Sequence, residues 1–141
     1  MQNNQPLVSV IMNCFNGDTY LKEAIDSVIS QTYKNWEIIF WDNQSSDKSA
    51  EIVNSYDDIR IKYFYAPTHV VLGKARNLAV KKANGEWIGI LDCDDIWYIN
   101  KLEVQLQVIG VDVGMVYART EFLIEDSGNK TSMAKNIKES Y

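Results

Sequence analysis

Three carboxylates stand within four residues, Asp92, Asp94 and Asp95, in the run Ile90-Leu91-Asp92-Cys93-Asp94-Asp95-Ile96-Trp97. They follow the apolar stretch Glu86 to Leu91, which reads as a buried strand. At such a strand end, partly dehydrated, like charges repel one another unless a cation or hydrogen-bond donors offset them. Carboxylate oxygens suit hard divalent ions such as Mn²⁺ or Mg²⁺, and Mg²⁺ is commonly held by one or two carboxylates together with a substrate's own phosphates. One aspartate could cap the helix that starts near Trp97. That leaves two unexplained. Two further apolar runs end in polar turns, Asn13-Cys14-Phe15-Asn16 and Asp42-Asn43-Gln44-Ser45-Ser46-Asp47. Arg76 carries the planar guanidinium that pairs with phosphate or carboxylate, and pairing with a strand-end carboxylate to brace the sheet is the competing use of it.

Charge narrows the partners. The 141 residues hold 19 Asp and Glu against 14 Lys and Arg, for a formal net charge of -5. That balance opposes broad attraction to nucleic acid or anionic lipid, so nucleic acid is not an expected partner. An acidic protein that takes an anionic ligand must do so locally, with placed donors or a cation between the two. The N-terminal MQNNQPLVSV lacks the basic start and long apolar run expected of a signal peptide, and no run approaches the roughly 20 apolar residues of a membrane span. The expectation is a cytoplasmic chain without a transmembrane segment, peripheral membrane association left open. Cys14 and Cys93 are too few and too distant in sequence for a disulfide scaffold or a CxxC site, and read as reduced thiols.

The elements that must position these groups alternate. Short β-branched and aromatic runs at Leu7–Asn13, Trp36–Trp41, Arg60–Tyr65 and Glu86–Leu91 predict strands. Between them, segments of helical period predict helices: one capped by Asp18 or Thr19, one carrying Ala50, Ile52 and Val53, and one over Leu72–Asn84. Gly85 would stop the last as a left-handed C-cap. Beyond the acidic run, a helix is expected over Trp97–Val108, strands over Val113–Ala118 and Glu121–Glu125, and a turn at Asp126-Ser127-Gly128-Asn129. Strands alternating with helices imply an α/β, mostly parallel sheet flanked by helices on both faces, with right-handed crossovers. Ligands then bind at the carboxyl ends of the strands. Those ends carry the three polar turns. Residues 1–126 are read as the binding domain and 127–141 as a polar tail.

The motifs resemble family 2 glycosyltransferases, which have the GT-A fold, a Rossmann-like arrangement of the nucleotide-diphospho-sugar transferase type. Val8 to Asn16 is similar to the family's opening strand and Asn-bearing turn. Tyr20-Leu21, Ala24-Ile25, Ser27-Val28 and Gln31-Thr32 resemble its first helix, and Trp36 to Asp47 its second strand and acidic turn. Gly73-Lys74-Ala75-Arg76-Asn77 matches its Gly-x-Ala-Arg-Asn helix start. Gly85-Glu86-Trp87-Ile88 leads into ILDCDDIW, similar to its Asp-x-Asp-Asp segment. The resemblance covers residues 7 to 108. It implies transfer of a sugar from a nucleoside diphosphate donor, UDP-linked, to a saccharide or lipid-linked acceptor, with divalent metal and inversion. Asp42 would hydrogen-bond the nucleobase, with the turn around Asn13 and Asn16 packing beside it. Arg76 would contact the donor, Asp92 the ribose or sugar, and Asp94 would ligate the metal. Asp95 would stand behind or face the sugar. The general base belongs to later sequence in the family, and no motif assigns it to Glu121, Glu125 or Asp126, so the chain reads as the donor-binding half. Asn43 and Gln44 depart from the Asp and Gly common after the first acid.

Other readings compete. A nucleotide-sugar-binding module that does not turn over would look the same. A receiver or flavodoxin-like domain shares the βα alternation but expects paired acids after the first strand, where this chain has Asn13 to Asn16. Trp36, Trp41 and Trp87 read as core aromatics, with Trp97 open. His69 reads as an exposed loop side chain, and the two cysteines as small buried residues.

Overall fold

The computed structural model describes residues 5–118, 121–126 and 129–134. They form two compact units, Met1–Glu103 and Val104–Tyr141.

Four parallel strands build the sheet of the first unit: β1 (Val8–Cys14), β2 (Trp36–Asp42), β3 (Ile61–Tyr65) and β4 (Trp87–Ile90), in the order β3-β2-β1-β4. β1 and β2 are central and almost wholly buried, which is why they read as continuous apolar runs rather than alternating ones. Their register pairs Val8 with Trp36 and Cys14 with Asp42, so the polar ends fall side by side. Of the helices, α1 (Asp18–Ile29) buries Leu21, Ala24, Ile25 and Val28, and α2 (Ser49–Asn54) packs beside it. α3 (Leu72–Val80) lays Ala75 and Ala79 against Ile11, Ile39 and Trp41.

The helix ends differ from the expectations, each for a tertiary reason. Asp18 opens α1 but does not cap it, and Gly17 supplies no side chain. Instead Asp47 accepts from the Asp18 amide at 3.0 Å, while Asp18 accepts from the Lys48 amide at 3.3 Å. α3 stops at Val80 rather than Asn84, and the Asn84 amide donates to Glu37 at 2.8 Å. Gly85 is not a left-handed cap. A Cβ there would lie 2.6 Å from the Ser9 nitrogen and 2.7 Å from the Leu7 carbonyl oxygen, so glycine is needed for close backbone approach. The Gly85 amide donates to Ser9 Oγ at 2.8 Å.

The segment after the acidic run is held by α1. Ser27 Oγ accepts from the Trp97 amide, Gln31 Nε2 donates to the Tyr98 carbonyl, and the Thr32 amide donates to that of Ile99. Gln31 Oε1 accepts from the Leu102 amide. With those carbonyls engaged, α4 begins only at Lys101 and runs to Gln107. Trp97 is buried, with the place a Gly89 Cβ would occupy 2.8 Å from its ring. Trp36 and Trp41 are buried as expected, whereas Trp87 is half-buried on the edge strand.

In the second unit β5 (Glu121–Asp126) pairs antiparallel with β6 (Asn129–Ala134). β6 lies within the stretch read as polar tail, and the turn read at Asp126-Ser127-Gly128-Asn129 falls partly outside the described residues. Val113–Ala118 forms no strand. Apolar sequence alone does not make one without a ladder partner.

Candidate functional site

The carboxyl end of β1 lies between those of β2 and β4. Its last residues carry Asn13, whose side-chain nitrogen and oxygen are both buried without a hydrogen-bond partner. Such orphaned groups are costly in a finished core and common where a ligand completes them. Asn16 takes a φ of 52°, a left-handed conformation that asparagine tolerates. Its Oδ1 accepts from the Ser46 amide at 2.8 Å and its own amide donates to Ser45 Oγ at 3.0 Å, so it braces one turn against the next.

At the end of β2, Asp42 has no exposed surface. Its Oδ1 accepts from the Ser45 amide at 2.7 Å, closing the turn, and its Oδ2 accepts from the Tyr63 hydroxyl at 2.6 Å. Burial and that acceptor push the Tyr63 hydroxyl well above the usual phenol range. Gln44 stands at φ 70°, which explains why glycine suits this turn. Asn43 grips the loop after β3: its Oδ1 accepts from the Val70 amide at 3.2 Å and its Nδ2 donates to the Val70 carbonyl at 2.7 Å.

α3 and the end of β4 supply the charged wall. Arg76 donates to Asp92 Oδ1 at 2.8 Å, while its Nε is buried without a partner. Asp92, Asp94 and Asp95 are all exposed, and the Asp95 amide returns to the Asp92 carbonyl at 3.1 Å to close the turn. Burial first, then the charges of Asp94 and Asp92, raise the Asp95 carboxyl above the usual carboxylate range. Among the described residues no group of three His, Cys, Asp or Glu is arranged to hold a metal ion. Cys93 stitches this turn to β1, donating to the Asn13 carbonyl at 3.2 Å, and Cys14 beside it is likewise free and buried.

Two aromatic residues to which the sequence reading gave no role meet at these loops. Phe15 is 54% exposed and meets His69 edge-on, with ring centroids 4.4 Å apart. His69 is exposed but not idle: its Nδ1 donates to the Asn43 carbonyl at 2.9 Å. Only the strand order, which sets β1 beside β2 and β2 beside β3, brings these loops together.

Known proteins resemble this chain in sequence and fold. Residues 9–138 match the family described as Glycosyl transferase family 2. An uncharacterised glycosyltransferase of Haemophilus influenzae is 44% identical over 105 residues, which are 73% of this chain and 42% of that protein. The UDP-Glc:alpha-D-GlcNAc-diphosphoundecaprenol beta-1,3-glucosyltransferase WfgD of Escherichia coli is 38% identical over 122 residues, 86% of this chain and 48% of WfgD. The chain therefore spans less than half the length of these relatives. S. aureus TarS 1–349, solved in complex with UDP-GlcNAc, superposes with a TM-score of 0.68 at 29% identity, over 71% of this chain and 30% of that one. The parallel sheet, its acidic strand end paired with Arg76 and the match across residues 9–138 together place this chain in glycosyl transferase family 2, with the GT-A fold.

Proposed function

We propose that this chain is the donor-binding portion of a glycosyltransferase that moves a sugar from a UDP-sugar to a saccharide or lipid-linked acceptor with inversion. The observation that carries the reading is the crowding of Asp92, Asp94 and Asp95 at one strand end with Arg76 paired to the first of them. The family supports the reaction, and the UDP-GlcNAc complex of TarS and the activity for which WfgD is named support the donor and acceptor classes.

The donor set fits a divalent cation. Asp94 is exposed, has no ion pair among the described residues, and is one of the acids whose charges raise Asp95. One or two such carboxylates plus a diphosphate complete the coordination usual for Mg²⁺ or Mn²⁺. Asp94 would hold that ion, which when bound stabilises charge developing on the departing nucleoside diphosphate. Asp92, fixed by Arg76, faces the ribose or sugar, and Arg76 keeps its unpartnered Nε for the donor. Phe15 offers its open ring to the base, and Asn13 and Asn16 line the adjoining turn. Asp42 supports these turns from behind, because both its oxygens are engaged and none of its surface is open. Direct contact with the base requires the turn at Asn43–Ser45 to open.

Equilibrium binding of UDP, GDP and CDP with Mn²⁺ tests the reading. UDP should bind tightest, weakened at least about tenfold, the usual cost of one charge-assisted contact, by Arg76→Ala. Equal, weak binding of all three, indifferent to Arg76→Ala, contradicts it.

A further inference from the structure

We propose that His69 is a positioning residue for nucleotide recognition, holding the Phe15 ring in the one orientation that presents its face to the base; this rests on the donor-site reading above. An exposed aromatic side chain in a turn ordinarily samples several rotamers, and a stacking surface that must first be ordered costs affinity. Here the ring is confined. His69 lies against it at 4.4 Å with the ring planes at 65°, the edge-to-face geometry that aromatic quadrupoles favour, and more than half of Phe15 stays open.

His69 can serve as a stop because it is itself fixed. Its Nδ1 donates to the Asn43 carbonyl at 2.9 Å. Asn43 is buried, its amide donates to the Cys14 carbonyl at 2.8 Å, and its side chain grips the Val70 backbone through both atoms. The residue that anchors His69 is thus bonded to the residue just before Phe15. On the far side of Phe15, Asn16 is pinned by Ser45 and Ser46. Both ends of the turn and the stop beside it share one rigid frame. The ligand class is a planar nucleobase, which stacks on an aromatic face whatever its hydrogen-bonding edge.

The test is a double-mutant cycle on the dissociation constant of UDP, with inorganic pyrophosphate as a ligand lacking the base, both in Mn²⁺. Phe15→Ala should weaken UDP about tenfold and His69→Ala about threefold, neither changing pyrophosphate. In the Phe15→Ala background His69→Ala should have an effect of less than about twofold, since it acts through a ring already removed. An equal His69→Ala effect with and without Phe15, or an effect on pyrophosphate, makes His69 merely structural and overturns the proposal. No effect of Phe15→Ala on a chain that binds UDP overturns it too, and leaves the donor site standing. Failure of the unaltered chain to bind UDP sinks both.

Discussion

Arg76 and Asp92 show how little an exposed pair contributes to stability and how much it can contribute to binding. Their side chains are 33% and 52% exposed, where solvent screens the attraction to about 0–1 kcal/mol. Arg76→Ala should therefore lower the unfolding free energy measured in urea by less than about 1 kcal/mol while weakening UDP severely; a large stability loss would make the pair a sheet brace instead. Gln44 presents the opposite case, a residue whose backbone works against it. At φ 70° any side chain is strained, and its Nε2 donates to the Ala66 carbonyl at a long 3.3 Å. Gln44→Gly should be neutral to about 1 kcal/mol stabilising in chemical denaturation. The acids and Arg76 were legible because charge at a strand end has few structural uses. Phe15 and His69 were not, because neither residue type signals a site until the fold brings them within 4.4 Å.

Among the elements, β2 buries a second carboxylate besides Asp42, that of Glu37. Burial opposes ionisation of Glu37, yet Lys62, Ser9 and Asn84 donate to it and together hold its carboxyl at about 2. Because the folded value lies below the ordinary 4.5, the stabilisation is fully present above about pH 4.5 and disappears as pH falls towards 2. Urea titrations between pH 5 and pH 2 should show a loss of the order of 2–3 kcal/mol from this group. Glu37→Gln should flatten that slope, and an unchanged slope would mean that the cluster does not set it. Close approach explains Gly85 in the same region. Gly85→Ala should cost about 1–3 kcal/mol by calorimetry, because its Cβ would strike the backbone of Leu7 and Ser9. The strands of the parallel sheet were readable from β-branched runs, since two central strands buried on both faces leave no alternation to misread, whereas Val113–Ala118, read the same way, forms no strand. Helix ends were not. Their carbonyls and amides are captured by Gln31, Thr32 and Glu37, residues distant in sequence whose reach no local pattern shows.

Across the first unit, sheet order does the assembling. Placing β1 between β2 and β4 collects three polar turns at one edge, and the matches at Ser27 and Gln31 prove to be the ties that hold the segment after the acidic run. The general base has no candidate motif in a chain that spans less than half of its relatives, so donor capture is the claim this molecule can answer for by itself. Its most direct measurement is the thermal midpoint of the chain with UDP and Mn²⁺, with UDP and EDTA, and with Asp94→Ala in place of the native residue. A ligand that binds only the folded state raises the midpoint. The midpoint should rise by several degrees with UDP and Mn²⁺, and the rise should vanish with EDTA and with Asp94→Ala. A rise of the same size in all three, or none with UDP and Mn²⁺, would contradict a metal-assisted donor site at the end of β4.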